Sequence, residues 1–252
     1  MRLFPKKQSK RAAHSHAEHP MLSVSSPFAI KEAYNSIRTK LIFTGKGEKC
    51  PVFAVTSSLT ADGKTTTAVS LAVSFSMAEQ RVLLIDADMR RPSVHRYFNT
   101  ECRGGLSEIL AGLSSEITLR ATRYERLSIL TAGQVPPNPA ELLGSKQMDR
   151  LLEYVRKYFD YVIIDTPPVN IVTDATVFAE KITGYVLVVQ SGKNHLREVS
   201  DAIGQLREMN GSIAGLILND PENKADAHYS RRYNRYYRHG KYRDYGENSR
   251  EK

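Results

Sequence analysis

Six short apolar runs punctuate the sequence between about residue 50 and residue 219: VFAVT (52–56), VLLID (82–86), LSIL (127–130), YVIID (161–165), YVLVV (185–189) and IAGLIL (213–218). They are β-branched and nearly continuous, the pattern of strands covered on both faces. Between them, amphipathic spacing predicts helices over 64–79, around 105–111, over 145–158 with Ser145 as N-cap, and over 194–209 ending at Asn210-Gly211. Such alternation predicts an α/β domain, a mainly parallel sheet with helices on both faces in a Rossmann-like three-layer arrangement. Ligands of such sheets bind at the carboxyl ends of the strands, so any chemistry should lie just after the apolar runs. A chain of 252 residues is long enough for one such domain with a sizeable core.

Directly after the first run comes SSLTADGKTTT, in which Ser58 is followed by four residues and then Gly63-Lys64-Thr65. This is the relaxed phosphate-loop pattern of a P-loop NTPase, in its required place between strand and helix. Its amide groups and the start of the helix face phosphate oxygens, which makes Ser58, Ala61, Asp62, Gly63, Lys64, Thr65 and Thr66 the expected nucleotide-binding residues. Lys64 would reach the β- and γ-phosphates, and the Thr65 hydroxyl would ligate Mg²⁺. The second run ends in VLLIDADMRRP, placing Asp86 and Asp88 on one side of an extended segment. Beside Mg·ATP, one carboxylate can help hold the hydrated metal while the other accepts a proton from an attacking hydroxyl. The plainer use of such residues is a helix cap or a solvated loop. YVIID closes on Asp165 at the Walker-B position, where a carboxylate helps hold Mg²⁺, and phosphoryl transfer is the expected reaction.

The charge lies at the ends. Residues 1–19 carry five basic and one acidic residue and residues 221–252 nine basic and five acidic, while the other 201 contribute only +1 of the formal net charge of +9. Residues 1–25 are expected to form a basic flexible segment, 26–220 the folded domain, and 221–252 a disordered tail in which apolar residues nearly vanish. That tail contains HYSRRYNRYYRHGKYRDY, with six of the thirteen tyrosines among six Arg or Lys. Tyrosine ordinarily sits half-buried against a core, and this stretch offers none. Ahead of the first strand, residues 26–44 predict a helix with Ile30, Ala33, Tyr34, Ile37 and Leu41 at helical spacing. Cys50 and Cys102 are too few for a disulfide framework, which points to a reducing cytosol. No apolar run approaches the roughly 20 residues that span a bilayer, and the basic N-terminus lacks the apolar stretch of a signal peptide. HSHAEH (14–19) reads as a solvated segment rather than a metal cluster, QVPPNPAELLGS (134–145) as a rigid entry into a helix, and His195 as a capping or surface residue.

In combination, SSLTADGKTT, LLIDADMRRP, PPNPAELL (136–143) and VIIDTPPV resemble the bacterial tyrosine kinases of the capsular and exopolysaccharide family, from the EAYNSIRT helix through LILND to the terminal tyrosines. The resemblance implies an ATP-dependent protein-tyrosine kinase that autophosphorylates its tail in trans, at Tyr229, Tyr233, Tyr236, Tyr237, Tyr242 and Tyr245. It assigns catalysis to Lys64, Asp86, Asp88 and Arg90, with Asp86 as base or orienter of the tyrosine hydroxyl. Mg²⁺ falls to Thr65, Asp88 and Asp165, and an adenine contact to Asn219. Glu32 and Arg38 correspond to an oligomerising Glu-x-x-Arg-x-x-Arg element, in which Asn35 replaces the first arginine. The family further implies a transmembrane activator of the polysaccharide chain-length-regulator type, a cognate tyrosine phosphatase, a homo-oligomer in which a ring is possible, and a cytoplasmic position at the inner face of the membrane.

Three other readings compete. A ParA/MinD-like ATPase shares the strand order and the loop but normally carries a second lysine near the loop's start, where this chain has Leu59. A nucleic-acid-binding ATPase would use the basic, aromatic tail, yet it leaves the three carboxylates unexplained, and no nucleic acid is expected. Attraction of that tail to an anionic membrane is compatible with kinase activity.

Overall fold

In the computed structural model the chain divides into two units, Met1–Asn219 and Asp220–Lys252. The structure describes residues 3–6 as backbone and residues 21–219 in full. The tyrosine-rich tail and HSHAEH lie outside the described residues.

In chain order the elements are β1 (Leu3–Lys6), α1 (Phe28–Thr44), β2 (Val52–Ser57), α2 (Lys64–Met77), β3 (Val82–Asp86), α3 (Val94–Tyr97), α4 (Leu106–Leu110), β4 (Ile117–Ala121) and β5 (Leu127–Leu130). There follow α5 (Pro139–Gly144), α6 (Lys146–Val155), β6 (Tyr161–Asp165), 3₁₀ turns at Thr173–Ala175 and Ala179–Lys181, β7 (Gly184–Gln190), α7 (Leu196–Glu208) and β8 (Ile213–Asn219). All six apolar runs are strands of one sheet, ordered β1-β4-β5-β3-β6-β2-β7-β8. Every pairing is parallel except that of β4 with β5. β1 and β4 were not legible in advance. In β4, Ile117 and Leu119 are buried while Thr118 and Arg120 are half-exposed, a one-sided alternation too short to stand out near the sheet's edge.

The central strands are buried on both faces, as their continuous apolar runs require. Val52, Ala54, Leu83, Ile85, Val162 and Ile164 pack toward α4, α5, α6 and α7. Phe53, Val55, Leu84 and Ile163 pack toward α2 and α1. α2 is apolar or small almost all round, and Thr67 through Ser76 are all buried, so it runs sandwiched between the sheet and α1. The stripe on α1 packs on its own domain through Tyr34, Ile37 and Leu41, while Ile30 stays 45% exposed.

Helix ends follow their chemistry. Ser145 caps α6 by accepting from the Met148 amide, and α7 stops before Asn210, which adopts a left-handed φ of 57°. Glu198 accepts from the His195 amide at 2.8 Å, so His195 begins α7 as its cap. Pro139 opens α5, the rigid entry expected of QVPPNPAELLGS. Cys50 and Cys102 are both free thiols.

The N-terminal boundary needs correction. Leu22 is buried, its amide donates to Ser70 Oγ at 3.0 Å, and the Tyr124 hydroxyl donates to its carbonyl at 3.0 Å. The packed domain therefore begins before residue 26, and β1 places a strand inside the stretch expected to be flexible.

Candidate functional site

β2, β6 and β3 lie side by side with their carboxyl ends on one edge of the sheet, and each delivers one part of the site. β2 feeds the loop 58–63, β6 ends on Asp165, and β3 ends on Asp86 directly opposite it in register. The loop turns through two left-handed residues, Ala61 at φ 61° and Gly63 at φ 89°, before α2 starts at Lys64. Asn219, at the end of β8, donates to the Asp62 carbonyl at 2.9 Å. A β-carbon on Gly63 would lie 2.3 Å from that same amide nitrogen, so glycine is required there by conformation and by space.

Lys64 Nζ stands 2.8 Å from Asp88 Oδ2 and 3.6 Å from Asp165 Oδ1. Burial works to lower the lysine's pKa, but the carboxylates of Asp165 and Asp88 outweigh it and hold the ammonium charged. The Thr65 hydroxyl donates to Asp165 Oδ2 at 2.7 Å. Asp165 is fully buried, and desolvation pushes its pKa up to about 6 against the opposing pull of Lys64. Its Oδ1 is buried without a hydrogen-bond partner among the described residues.

That oxygen faces the Lys64 ammonium only at 3.6 Å, beyond hydrogen-bond distance, and can accept a closer partner. Thr65, Asp88 and Asp165 supply hard oxygen donors and so fit Mg²⁺, which keeps most of its waters and takes few protein ligands. Among the described residues no group of three or more His, Cys, Asp or Glu is arranged to hold a metal ion.

Two expected catalytic residues are engaged otherwise. The Asp86 carboxylate is taken up by backbone amides. Its Oδ2 accepts from the amides of Ser93 at 3.1 Å and Val94 at 3.0 Å, and its Oδ1 from Asp88 at 3.2 Å, so it fixes the start of α3. Burial, then the charge of Asp165, raises its pKa well above the usual range. Asp88, two residues past the end of β3 and with 7% of its side chain exposed, is less enclosed than Asp86. Arg90 grips the buried Asp174 at 2.8 and 2.9 Å, tying the loop after β3 to the first 3₁₀ turn.

Glu32 and Arg38 are likewise held within the subunit. Asn35 donates to Glu32 at 2.9 Å and accepts from Arg38 at 3.0 Å, and Arg38 also reaches the Ser74 carbonyl and hydroxyl at 2.8 and 2.9 Å. Ser58 and Asp62 are both fully buried, and Thr66 shares a 2.7 Å hydrogen bond with the Tyr97 hydroxyl.

Four further residues join the site without having been singled out. Ser93 donates to Thr65 at 3.3 Å, and Tyr97 meets Thr66 as above. Asn194 donates to Ser58 and Asp62, each at 3.0 Å, and Lys193 reaches Asp62 at 2.9 Å. SGKN follows directly on β7, so the rule that ligands gather at carboxyl ends could have flagged the last two. Ser93 and Tyr97 carry no such signal.

A family model described as an AAA domain matches residues 52–210. The tyrosine-protein kinase YwqD of Bacillus subtilis is 37% identical over 207 residues, 81% of this chain and 87% of that protein. The kinase domain of the Escherichia coli tyrosine kinase ETK superposes with a TM-score of 0.76 at 36% identity, covering 82% of each chain. The septum site-determining protein MinD of Pyrococcus horikoshii, solved with Mg-ADP, has a TM-score of 0.57 at 20% identity over 68% of this chain and 70% of its own, a likeness of fold alone.

Proposed function

Because this chain belongs to the bacterial tyrosine kinases of the capsular and exopolysaccharide family, we propose that it transfers the γ-phosphoryl group of ATP to protein tyrosine, its own C-terminal cluster first. The observation that carries this reading is the convergence of Lys64, Thr65, Asp88 and Asp165 within 2.7–3.6 Å at the ends of neighbouring strands. Mg²⁺, held by Thr65, Asp88 and Asp165 largely through its waters, would neutralise charge on the β- and γ-phosphates.

Lys64 exchanges Asp88 for the phosphates on binding, which leaves Asp88 to the waters of the metal on one side and to an incoming phenol on the other. The phenol oxygen forms the new bond to phosphorus, the bond from the γ-phosphorus to the bridging oxygen breaks, and ADP leaves with that electron pair. Asp88 accepts or orients the phenolic proton, since a hydroxyl with pKa near 10 needs an acceptor close by. Asp86 acts through the backbone, holding Asp88 and α3 in place.

The acceptors are Tyr229, Tyr233, Tyr236, Tyr237, Tyr242 and Tyr245, which lie outside the described residues. Transfer runs in trans within a homo-oligomer and regulates capsular or exopolysaccharide synthesis and export. No helix among the described residues is long and apolar enough to cross a membrane. From the family resemblance the reading includes a transmembrane activator that brings the chain to the inner face of the membrane, and a tyrosine phosphatase that resets it.

The test is incubation of the purified full chain with labelled Mg·ATP, with and without the cytosolic tail of an activator. Label on tyrosine supports the reading. Free phosphate alone would instead make the chain an ATPase of the MinD kind.

A further inference from the structure

Asp62 puts a negative charge inside a loop that must receive a polyanion. Its side chain is fully buried, and the Leu59 amide and Asn194 Nδ2 each donate to its Oδ2 at 3.0 Å. Those neutral donors satisfy oxygen lone pairs without cancelling the charge. The cation is Lys193, from the β7–α7 connection, whose Nζ meets Asp62 Oδ1 at 2.9 Å and also donates to the Thr60 carbonyl. Lys193 keeps 37% of its side chain exposed, so it reaches in from the surface rather than being enclosed. Lys64, the other lysine of the site, is engaged with Asp88 and Asp165.

We propose that Lys193 is a positioning residue for nucleotide binding, the counter-charge that makes the Asp62-bearing loop electrostatically acceptable to the phosphates of Mg·ATP. Without it a buried carboxylate stands unneutralised on the loop's own backbone, and the phosphate chain meets repulsion where the loop should attract. The Thr60 bond adds a geometric part, holding the first half of the loop against the β7–α7 connection. Asp62 in turn anchors Asn194 and, through its carbonyl, Asn219, so one ion pair joins three connections of the site. The proposal rests on the reading that this loop binds ATP.

The test measures binding of Mg·ATP, Mg·ADP and AMP to the full chain by calorimetry, in wild type, K193M, K193R, D62N and D62N/K193M. K193M should weaken Mg·ATP by about tenfold, less than the loss of a partner from a fully enclosed pair, because only the carboxylate of this pair is enclosed. The loss should shrink from ATP to ADP to AMP, because repulsion scales with phosphate charge whereas a merely loosened loop would affect all three alike. K193R should retain most affinity. In the D62N background the lysine should matter little, with D62N/K193M within about threefold of D62N.

If K193M does not fold, that last comparison still decides, since neither of its chains buries an unpaired carboxylate. Wild-type affinity in K193M, or a lysine effect as large in the D62N background as in its absence, overturns the proposal. A wild-type chain that binds no Mg·ATP overturns the kinase reading and this proposal with it.

Discussion

At the residue scale the site is governed by two lysines among buried carboxylates, Lys193 beside Asp62 and Lys64 beside Asp88 and Asp165. Lys64 balances Asp88 and Asp165, so replacing it removes both the phosphate contact and the local charge balance. K64M should lower tyrosine labelling by at least about 10²-fold, the order seen when a charge-stabilising group of a transfer site is lost. Labelling of purified K64M close to that of wild type would refute the role.

Asp165 carries a pH signature. Burial raises it from the ordinary 3.8 to about 6, so the folded chain keeps a proton that the unfolded chain has already released. The metal-free protein should therefore lose stability as pH rises from about 4 to about 6, the sign opposite to that of a salt-bridged carboxylate. Mg·ATP, which favours the ionised form, should bind progressively more weakly as pH falls below about 6. Thermal melts in chelator and nucleotide titrations over pH 4.5–7.5 check both directions. The residue identities here were readable from motif spacing, but their states were not. That Asp86 is a cap and Asp88 the open carboxylate depends on where the chain turns after β3 and which amides it turns back, a matter of three-dimensional path rather than residue type.

At the element scale, the loop and α2 are set by contacts from distant parts of the chain. Gly63→Ala would have to hold a φ of 89° and place its β-carbon 2.3 Å from Asn219 Nδ2. A destabilisation of about 1–2 kcal/mol and a clear loss of ATP affinity are expected. Adding N219A removes the collision but not the φ strain, so a partial recovery is the predicted result. Denaturant unfolding and ATP titration of the single and double variants measure it, and full recovery would mean that φ strain is unimportant. Arg38 ties α1 to α2 at Ser74, and R38A should lower stability by about 1–2 kcal/mol through those lost charge-assisted bonds. An unchanged denaturant midpoint would argue that α1 is held by Tyr34, Ile37 and Leu41 alone. Six strands and the main helices could be read from periodicity because both signals are local. β1 and β4 escaped because strands of four and five residues, at the sheet's edge and next to it, have little apolar content to announce them.

At the scale of the whole molecule the kinase reading places the acceptor tyrosines in residues 221–252, which lie outside the described residues. Deleting residues 221–252 should remove most self-labelling yet spare ATP binding and phosphorylation of an added tyrosine peptide. Mixing a K64M full-length chain with an active chain lacking 221–252 tests direction, and phosphate on the inactive chain's tail establishes transfer in trans. Each phosphotyrosine adds about −1.5 to −2 charges, so four would outweigh the six basic residues of His228 to Tyr245. Light scattering before and after ATP should then report a smaller assembly, and an equally large one would count against that step. The sequence by itself determined the architecture, the loop and the three carboxylates, because strand burial and phosphate binding each demand particular residues at short, fixed spacings. Only the tertiary structure decided that Arg90 belongs to Asp174, Arg38 to Ser74 and Lys193 to Asp62, pairs separated by 84, 36 and 131 positions. A charged side chain does not advertise its partner: the Arg90 and Lys193 pairings follow from which loops the sheet order brings to one edge, and that of Arg38 from the packing of α1 on α2.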